Sequence, residues 1–204
     1  MFEGLGFRIE AGGALLLLGP NGSGKSSLLR LMAGLLRPAA GRIAWDGIDL
    51  GADRDAHHGR VHYLGHLDAI KPVLTVRENL AFWAGLDGAT LAAAAAGLAE
   101  IELDHLADTP GRFLSAGQRR RLALARLLAA GKPLWLMDEP GVALDHDSIR
   151  ALESAMAAHR AGGGMVVVAT HMTLELPDAD ALLLDEFDPA GVGEMNEAPE
   201  AAEA

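Results

Sequence analysis

The chain has 204 residues, with 17 Lys plus Arg against 28 Asp plus Glu, a formal net charge of −11 and no cysteine. That length bounds it to one ordinary domain with room for a small inserted lobe, and the missing cysteine excludes disulfides and thiolate metal sites. The acidity argues against nucleic acid, whose phosphates need a basic surface, and no apolar run approaches the roughly 18 residues of a membrane span.

The charge is uneven. Asp185, Glu186, Asp188, Glu194, Glu197, Glu200 and Glu203 carry −7 of it with no Lys or Arg among residues 185–204, which leaves only −4 on the rest. This Ala/Gly/Pro/Glu-rich stretch without apolar periodicity reads as a disordered tail, so the folded part is close to neutral. The N-terminus lacks the charged-then-apolar layout of a signal peptide. The expectation is a chain that stays in the cytosol, inserts into no membrane itself and meets one only through a partner.

In chain order, Ala14–Leu18 is a short apolar run that reads as a strand, followed by a glycine-rich loop and a helix over Ser26–Leu36. Similar short buried strands are expected at Ile43–Trp45, Val61–Leu64, Leu134–Met137, Met165–Ala169 and Ala181–Leu184. Their apolar residues run on without alternating, which fits a sheet covered on both faces. Between the third and fourth of these runs, Thr75-Val76-Arg77-Glu78 resembles a capping box opening a helix through Trp83. Leu91–Ile101 is alanine-rich, and Gly117–Ala130 has helical spacing. This block, about residues 67–130, reads as a helical lobe inserted into an α/β core spanning residues 1–184. A further helix is expected over Ser148–Ala161, turning through Gly162–Gly164 into the next strand.

Gly19-Pro20-Asn21-Gly22-Ser23-Gly24-Lys25-Ser26 matches G-x-x-x-x-G-K-[ST], and it stands directly after a strand and opens a helix that continues through Ser27. Glycines let successive backbone N–H groups turn inward, and the helix N-terminus adds its positive end, so a phosphate chain fits the cup. Lys25 brings a full charge to the β and γ phosphates, worth about 4 kcal/mol at 4 Å for an effective dielectric near 20. The Ser26 hydroxyl suits magnesium. Leu134-Trp135-Leu136-Met137-Asp138-Glu139 is an apolar strand ending in two carboxylates. Asp138 is the candidate for a phosphate-bound magnesium, and Glu139 for the general base or positioner of the attacking water.

Leu114-Ser115-Ala116-Gly117-Gln118, just before a helix, resembles the signature motif of ATP-binding-cassette ATPases, with Ala116 where that motif usually has glycine. Ala143-Leu144-Asp145 is similar to the D-loop of the same family, and His171, after the strand Met165–Ala169, holds the position of its switch histidine. The resemblance covers residues 4–184. It implies a P-loop NTPase (RecA-like) fold with a parallel sheet and an inserted helical subdomain, ATP and Mg2+ as ligands, and hydrolysis by water placed by Glu139 and His171. It also implies two copies paired head to tail, with Ser115, Gly117 and Gln118 of one closing over the ATP held by Lys25 of the other.

Two positions depart from that family. In place of its glutamine after the strand entering the lobe stands His66, a candidate surrogate whose neutral imidazole can accept the same hydrogen bond, the other reading being a hinge residue of the lobe with no metal role. The family also carries an aromatic residue over adenine farther upstream of Gly19 than the 18 residues that precede it here. The resemblance therefore implies a missing accessory strand, and with it either weak ATP binding or, as the favoured expectation, a Met1 that is an internal methionine of a longer protein.

Gly65 to Gly85, Leu114 to Leu128, and Thr170-His171 with Leu176-Pro177 resemble one branch in particular, the ATP-binding subunits of the haem-exporter type in bacterial cytochrome c maturation. That branch implies a polytopic membrane subunit as partner and a place at the cytoplasmic face of the inner membrane. Two other readings stay open from sequence: a cassette ATPase of another transporter or of soluble iron–sulfur assembly, and an ATP-sensing regulatory subunit with little hydrolysis.

Overall fold

The computed structural model describes residues 2–88, 90, 92, 96 and 102–187. Five parallel strands form the main sheet in the order β4-β5-β6-β1-β7: β1 (Ala14–Leu18), β4 (Val61–Leu64), β5 (Leu134–Asp138), β6 (Met165–Ala169) and β7 (Asp180–Leu183). Alternate side chains of β5 point to opposite faces, as strand geometry demands. Trp135 and Met137 pack with Ala123, Leu124 and Leu127 of α4 (Ala116–Ala130) and with Leu152 and Met156 of α5 (His146–Ala161). Leu134 and Leu136 pack instead with Leu28, Leu29 and Met32 of α1 (Lys25–Met32). Both faces are therefore covered, which is why the central strands read as unbroken apolar runs. Each fully buried leucine in these layers contributes on the order of 2 kcal/mol of transfer free energy.

Two strands differ from the sequence reading. The segment at Ile43–Trp45 is not a buried strand of this sheet. Ala44–Trp45 (β2) pairs antiparallel with Ile48–Asp49 (β3) in a separate, largely exposed hairpin. Asp46 at φ 49° and Gly47 at φ 80° form its two-residue turn, and Asp-Gly is the sequence signal for such a turn. β7 lies at the sheet edge with Asp180, Ala181 and Leu183 exposed, so it is not buried either.

A short helix α2 (Arg54–Arg60) leads into β4, and α3 (Val76–Asp87) begins the lobe. The α3 capping box is present: Glu78 N donates to Thr75 Oγ1 at 3.2 Å, and Thr75 N donates to Glu78 Oε2 at 2.8 Å. Accepting from Thr75 N, and from the Thr75 hydroxyl at 3.0 Å, holds the Glu78 carboxyl below its usual range. The lobe has an apolar core of its own, in which Val76, Leu80 and Ala84 of α3 meet Leu122, Ala125 and Ala129 of α4. Helix α4 thus serves two cores, one on each side. The alanine-rich stretch Leu91–Ile101 falls almost wholly outside the described residues, although Ala92 and Ala96 are helical. Asp185–Phe187, counted with the acidic tail, belong to a 3-10 turn over Leu184–Phe187, and residues 188–204 lie outside the described residues. Among the described residues no strand precedes β1, and Phe2, Leu5 and Ile9 pack against the α1 side of the core.

Candidate functional site

Three adjacent parallel strands deliver the candidate residues to one end of the sheet. β1 pairs with β6 (Leu17 opposite Ala169), and β6 pairs with β5 (Asp138 opposite Ala169). The segments that follow them, Gly19–Ser26, Glu139–Pro140 and Thr170–His171, must therefore be neighbours, at the carboxyl ends where open α/β sheets bind ligands.

The loop after β1 depends on glycine. Gly19 sits at φ 137°, and a Cβ there would stand 2.8 Å from Ser23 Oγ. Gly24, at φ 101°, precedes α1 and offers no side-chain cap, so the first N–H groups of α1 are left for an external acceptor. Lys25 is 8% exposed, and its Nζ donates to Gly19 O at 2.7 Å and Pro20 O at 2.9 Å, which lays the ammonium against the loop. The Ser23 hydroxyl is buried and takes no hydrogen bond among the described residues. Ser26 and Ser27 are half-buried on the first turn of α1, and Asn21 and Gly22 are exposed at the tip.

Glu139 is held from several sides. Its N–H donates to Ala169 O at 2.8 Å, and its Oε2 accepts from Thr170 Oγ1 at 3.2 Å and from His171 N at 3.3 Å. His171 Nε2 lies 3.6 Å from Glu139 Oε1 and 2.8 Å from Asn21 Oδ1. An amide oxygen can only accept, so Nε2 carries the proton in that contact. The switch-position histidine thus bridges the carboxylate and the phosphate loop.

Asp138, 4% exposed, accepts no hydrogen bond on its carboxylate and pairs with no cation among the described residues. The Ser26 hydroxyl likewise makes no hydrogen bond among the described residues. A carboxylate without a cation partner, at the carboxyl end of the sheet where the Ser26 helix also begins, suits a hard divalent cation. No group of three or more His, Cys, Asp or Glu among the described residues could hold a metal alone, so such a cation would complete its shell with phosphate oxygens and water.

Ser115 caps α4 in a second capping box: Gln118 N donates to Ser115 Oγ at 3.2 Å, and Ser115 N donates to Gln118 Oε1 at 2.8 Å. Gly117 is compulsory here, because a Cβ would come within 2.7 Å of Ala143 O, and Ala143 itself is at φ 65°. The signature and D-loop positions therefore meet within one chain and line a common open groove with Arg121 and Ser148. No hydrogen bond or ion pair among the described residues joins Ser115, Gly117 or Gln118 to Gly19–Ser27. His66 is exposed, and its ring bonds to no described residue.

Sequence reasoning missed Arg120, 4% exposed, which donates to the backbone of Asp138, Glu139 and Pro140 and to the loop after β4. The signal was its spacing. Arg120 shares a helix face with Ala123, Leu124 and Leu127, so one arginine of the run Arg119-Arg120-Arg121 had to point inward.

A family model described as ABC transporter matches residues 2–142. The chain belongs to the ABC transporter family. A cytochrome c biogenesis ATP-binding export protein of Rhodospirillum rubrum is 62% identical over 189 residues, 93% of this chain and 81% of that protein. The protein of the same description from Paracoccus denitrificans is 46% identical over 185 residues, 91% of this chain and 82% of its own length. Among solved structures, a bacterial Atm1-family ABC exporter with ATP bound superposes with TM-score 0.79 at 29% identity, covering 91% of this chain and 34% of that one. A bacterial ABC transporter cassette solved as a dimer gives TM-score 0.74 at 29% identity, covering 81% and 78%. ATP binding belongs to this family.

Proposed function

We propose that this chain is the ATP-hydrolysing subunit that powers an exporter serving cytochrome c biogenesis. The observation that carries the ATPase reading is the Glu139 carboxylate, held by Thr170 and His171 while His171 reaches Asn21 of the phosphate loop. A carboxylate so fixed beside a phosphate cup is equipped to orient and deprotonate a water for attack on the γ-phosphate. The transport role is supported by the high identity to the export proteins of Rhodospirillum rubrum and Paracoccus denitrificans.

Gly19–Ser27 hold the triphosphate through backbone N–H groups and the Lys25 ammonium. Mg2+, when bound by Ser26 and Asp138, supplies charge neutralisation on the phosphate oxygens. His171 holds its Nε2 proton toward the loop, free to pass from Asn21 to a γ-phosphate oxygen. His66, exposed after β4, is assigned as the acceptor that replaces the family's glutamine. Ser115, Gly117 and Gln118 line an open groove to which their own phosphate loop contributes no residue, which favours their use by a second copy's ATP.

The partner is a polytopic membrane subunit at the cytoplasmic face of the inner membrane. No helix among the described residues is long and apolar enough to cross a membrane, while Leu67 and Val73 around the entry to the lobe are 82% and 75% exposed. Exposed apolar residues of that size suit a protein surface that covers them. The reading is tested by affinity purification from native membranes. A small polytopic protein should accompany the chain, and the complex should hydrolyse ATP; a complex with no membrane protein, or one without ATPase activity, would overturn it.

A further inference from the structure

The guanidinium of Arg120 has acceptors on two separate loops. Nη2 donates to Asp138 O at 2.8 Å and Glu139 O at 2.7 Å, and Nε donates to Pro140 O at 3.1 Å. Nη1 donates to Gly65 O at 3.1 Å and to Asp68 Oδ1 at 3.0 Å. The first set belongs to the last residue of β5 and the turn after it, the second to the loop that leaves β4 for the helical lobe.

Three consecutive carbonyls can converge on one planar group only if the backbone bends sharply between them. Glu139 adopts φ 49°, a left-handed conformation that a side chain of this kind holds only when its surroundings over-determine it. Arg120 supplies that constraint from the carbonyl side, as Ala169 O does from the N–H side. Asp68 balances the buried charge. One and a half turns further along α4, Arg126 donates to Asp68 O at 2.9 Å and lies 3.8 Å over the Trp83 ring of α3. Loop 65–68 is thus gripped at two points by the helix whose N-terminus carries Ser115.

We propose that Arg120 is a positioning residue for hydrolysis, fixing the backbone from which Glu139 projects and tying it to the loop between β4 and the lobe. Movement of the lobe then reaches Glu139 through one guanidinium, without any change in how the phosphate loop holds nucleotide. This rests on Glu139 being the hydrolytic carboxylate.

The test compares kcat, KM, ATP dissociation constant and thermal melting for the full chain and its Arg120→Met, Arg120→Lys, Asp68→Ala and Glu139→Gln variants. Arg120→Met lowers kcat roughly 100-fold, the size expected when a reacting group is misplaced by about 1 Å, and leaves ATP affinity unchanged. A lysine ammonium cannot span both acceptor sets, so Arg120→Lys recovers only part of kcat. Asp68→Ala keeps the turn contacts and gives a smaller loss. A folded Arg120→Met protein with wild-type kcat, or one whose ATP affinity falls as far as its kcat, overturns the proposal. Should Arg120→Met not fold, wild-type kcat in Asp68→Ala overturns it instead. Wild-type kcat in Glu139→Gln would sink the underlying reading of Glu139, whereas loss there beside full activity in Arg120→Met defeats only the role of Arg120.

Discussion

His171 Nε2 lies 2.8 Å from Asn21 Oδ1, joining two loops that are 150 residues apart in sequence. The contact exists because β1 and β6 are paired neighbours whose carboxyl ends finish side by side. His171→Ala removes both this bridge and the side-chain approach to Glu139, and a loss of roughly 100-fold or more in kcat is expected. Asn21→Ala leaves the imidazole in place without its acceptor and should cost less. Steady-state ATPase rates of both variants check the order; Asn21→Ala more damaging than His171→Ala would contradict it.

Gly117 packs its α-carbon against Ala143 O so closely that an added methyl group would stand 2.7 Å away. Neither backbone segment is a flexible side-chain end. Gly117→Ala should therefore destabilise the protein by about 1–3 kcal/mol, as overpacking does. Urea denaturation would measure it, and an unchanged midpoint would show that the two segments are free to separate.

Asn79 is fully buried and closes the entry to the lobe. Its Oδ1 accepts from Lys71 N at 2.8 Å, and its Nδ2 donates to Lys71 O, Leu74 O and Thr75 O, each at 3.0 Å. Asn79→Ala strands these backbone groups, at a cost of about 2 kcal/mol or more. Asn79→Asp should be worse than Ala at neutral pH, since a carboxylate would face three carbonyls. Equal melting of both variants and wild type would refute this.

His62 on β4 is buried, and burial, with help from Arg126, pushes its pKa down to about 4 despite Asp87. In the unfolded chain it titrates near 6.5, so between those values the unfolded state binds the extra proton. Stability from this residue is complete above pH 6.5 and falls as the pH drops toward 4. His57 and His159, lowered chiefly by burial, act in the same direction. His62→Gln should flatten the stability profile between pH 7 and 5 relative to wild type. An identical slope would remove His62 as a cause.

The sheet was legible because β1, β5 and β6 are buried on both faces and so appear as plain apolar runs. The Thr75–Glu78 capping box read from the sequence opens the folded α3, since a cap is a local device read from four residues, whereas the Ser115–Gln118 box of α4 emerged only in the structure. Trp45 misled: its apolar neighbours suggested a core strand, while Asp46-Gly47 is the turn of an exposed hairpin. The glycine loop and Asp138-Glu139 could be named from order and spacing, and His171 from its resemblance to the family's switch position. Their mutual contacts could not, because the Asn21–His171 bond and the Gly117–Ala143 approach depend on strand order, which periodicity does not encode. Arg120 was hidden for another reason. In a run of three arginines the ordinary reading is a solvated face, and only its register with Leu124 and Leu127 sets it apart.

The central claim is that Glu139 drives hydrolysis at a nucleotide held by the phosphate loop. Its most direct test is single-turnover hydrolysis of Mg-ATP by the full chain, with nucleotide binding measured in parallel, for wild type and Glu139→Gln. Equal ATP binding is expected, with a loss of roughly 100-fold or more in the variant's hydrolysis rate. Hydrolysis at the wild-type rate by Glu139→Gln, or ATP binding by neither protein, would contradict it.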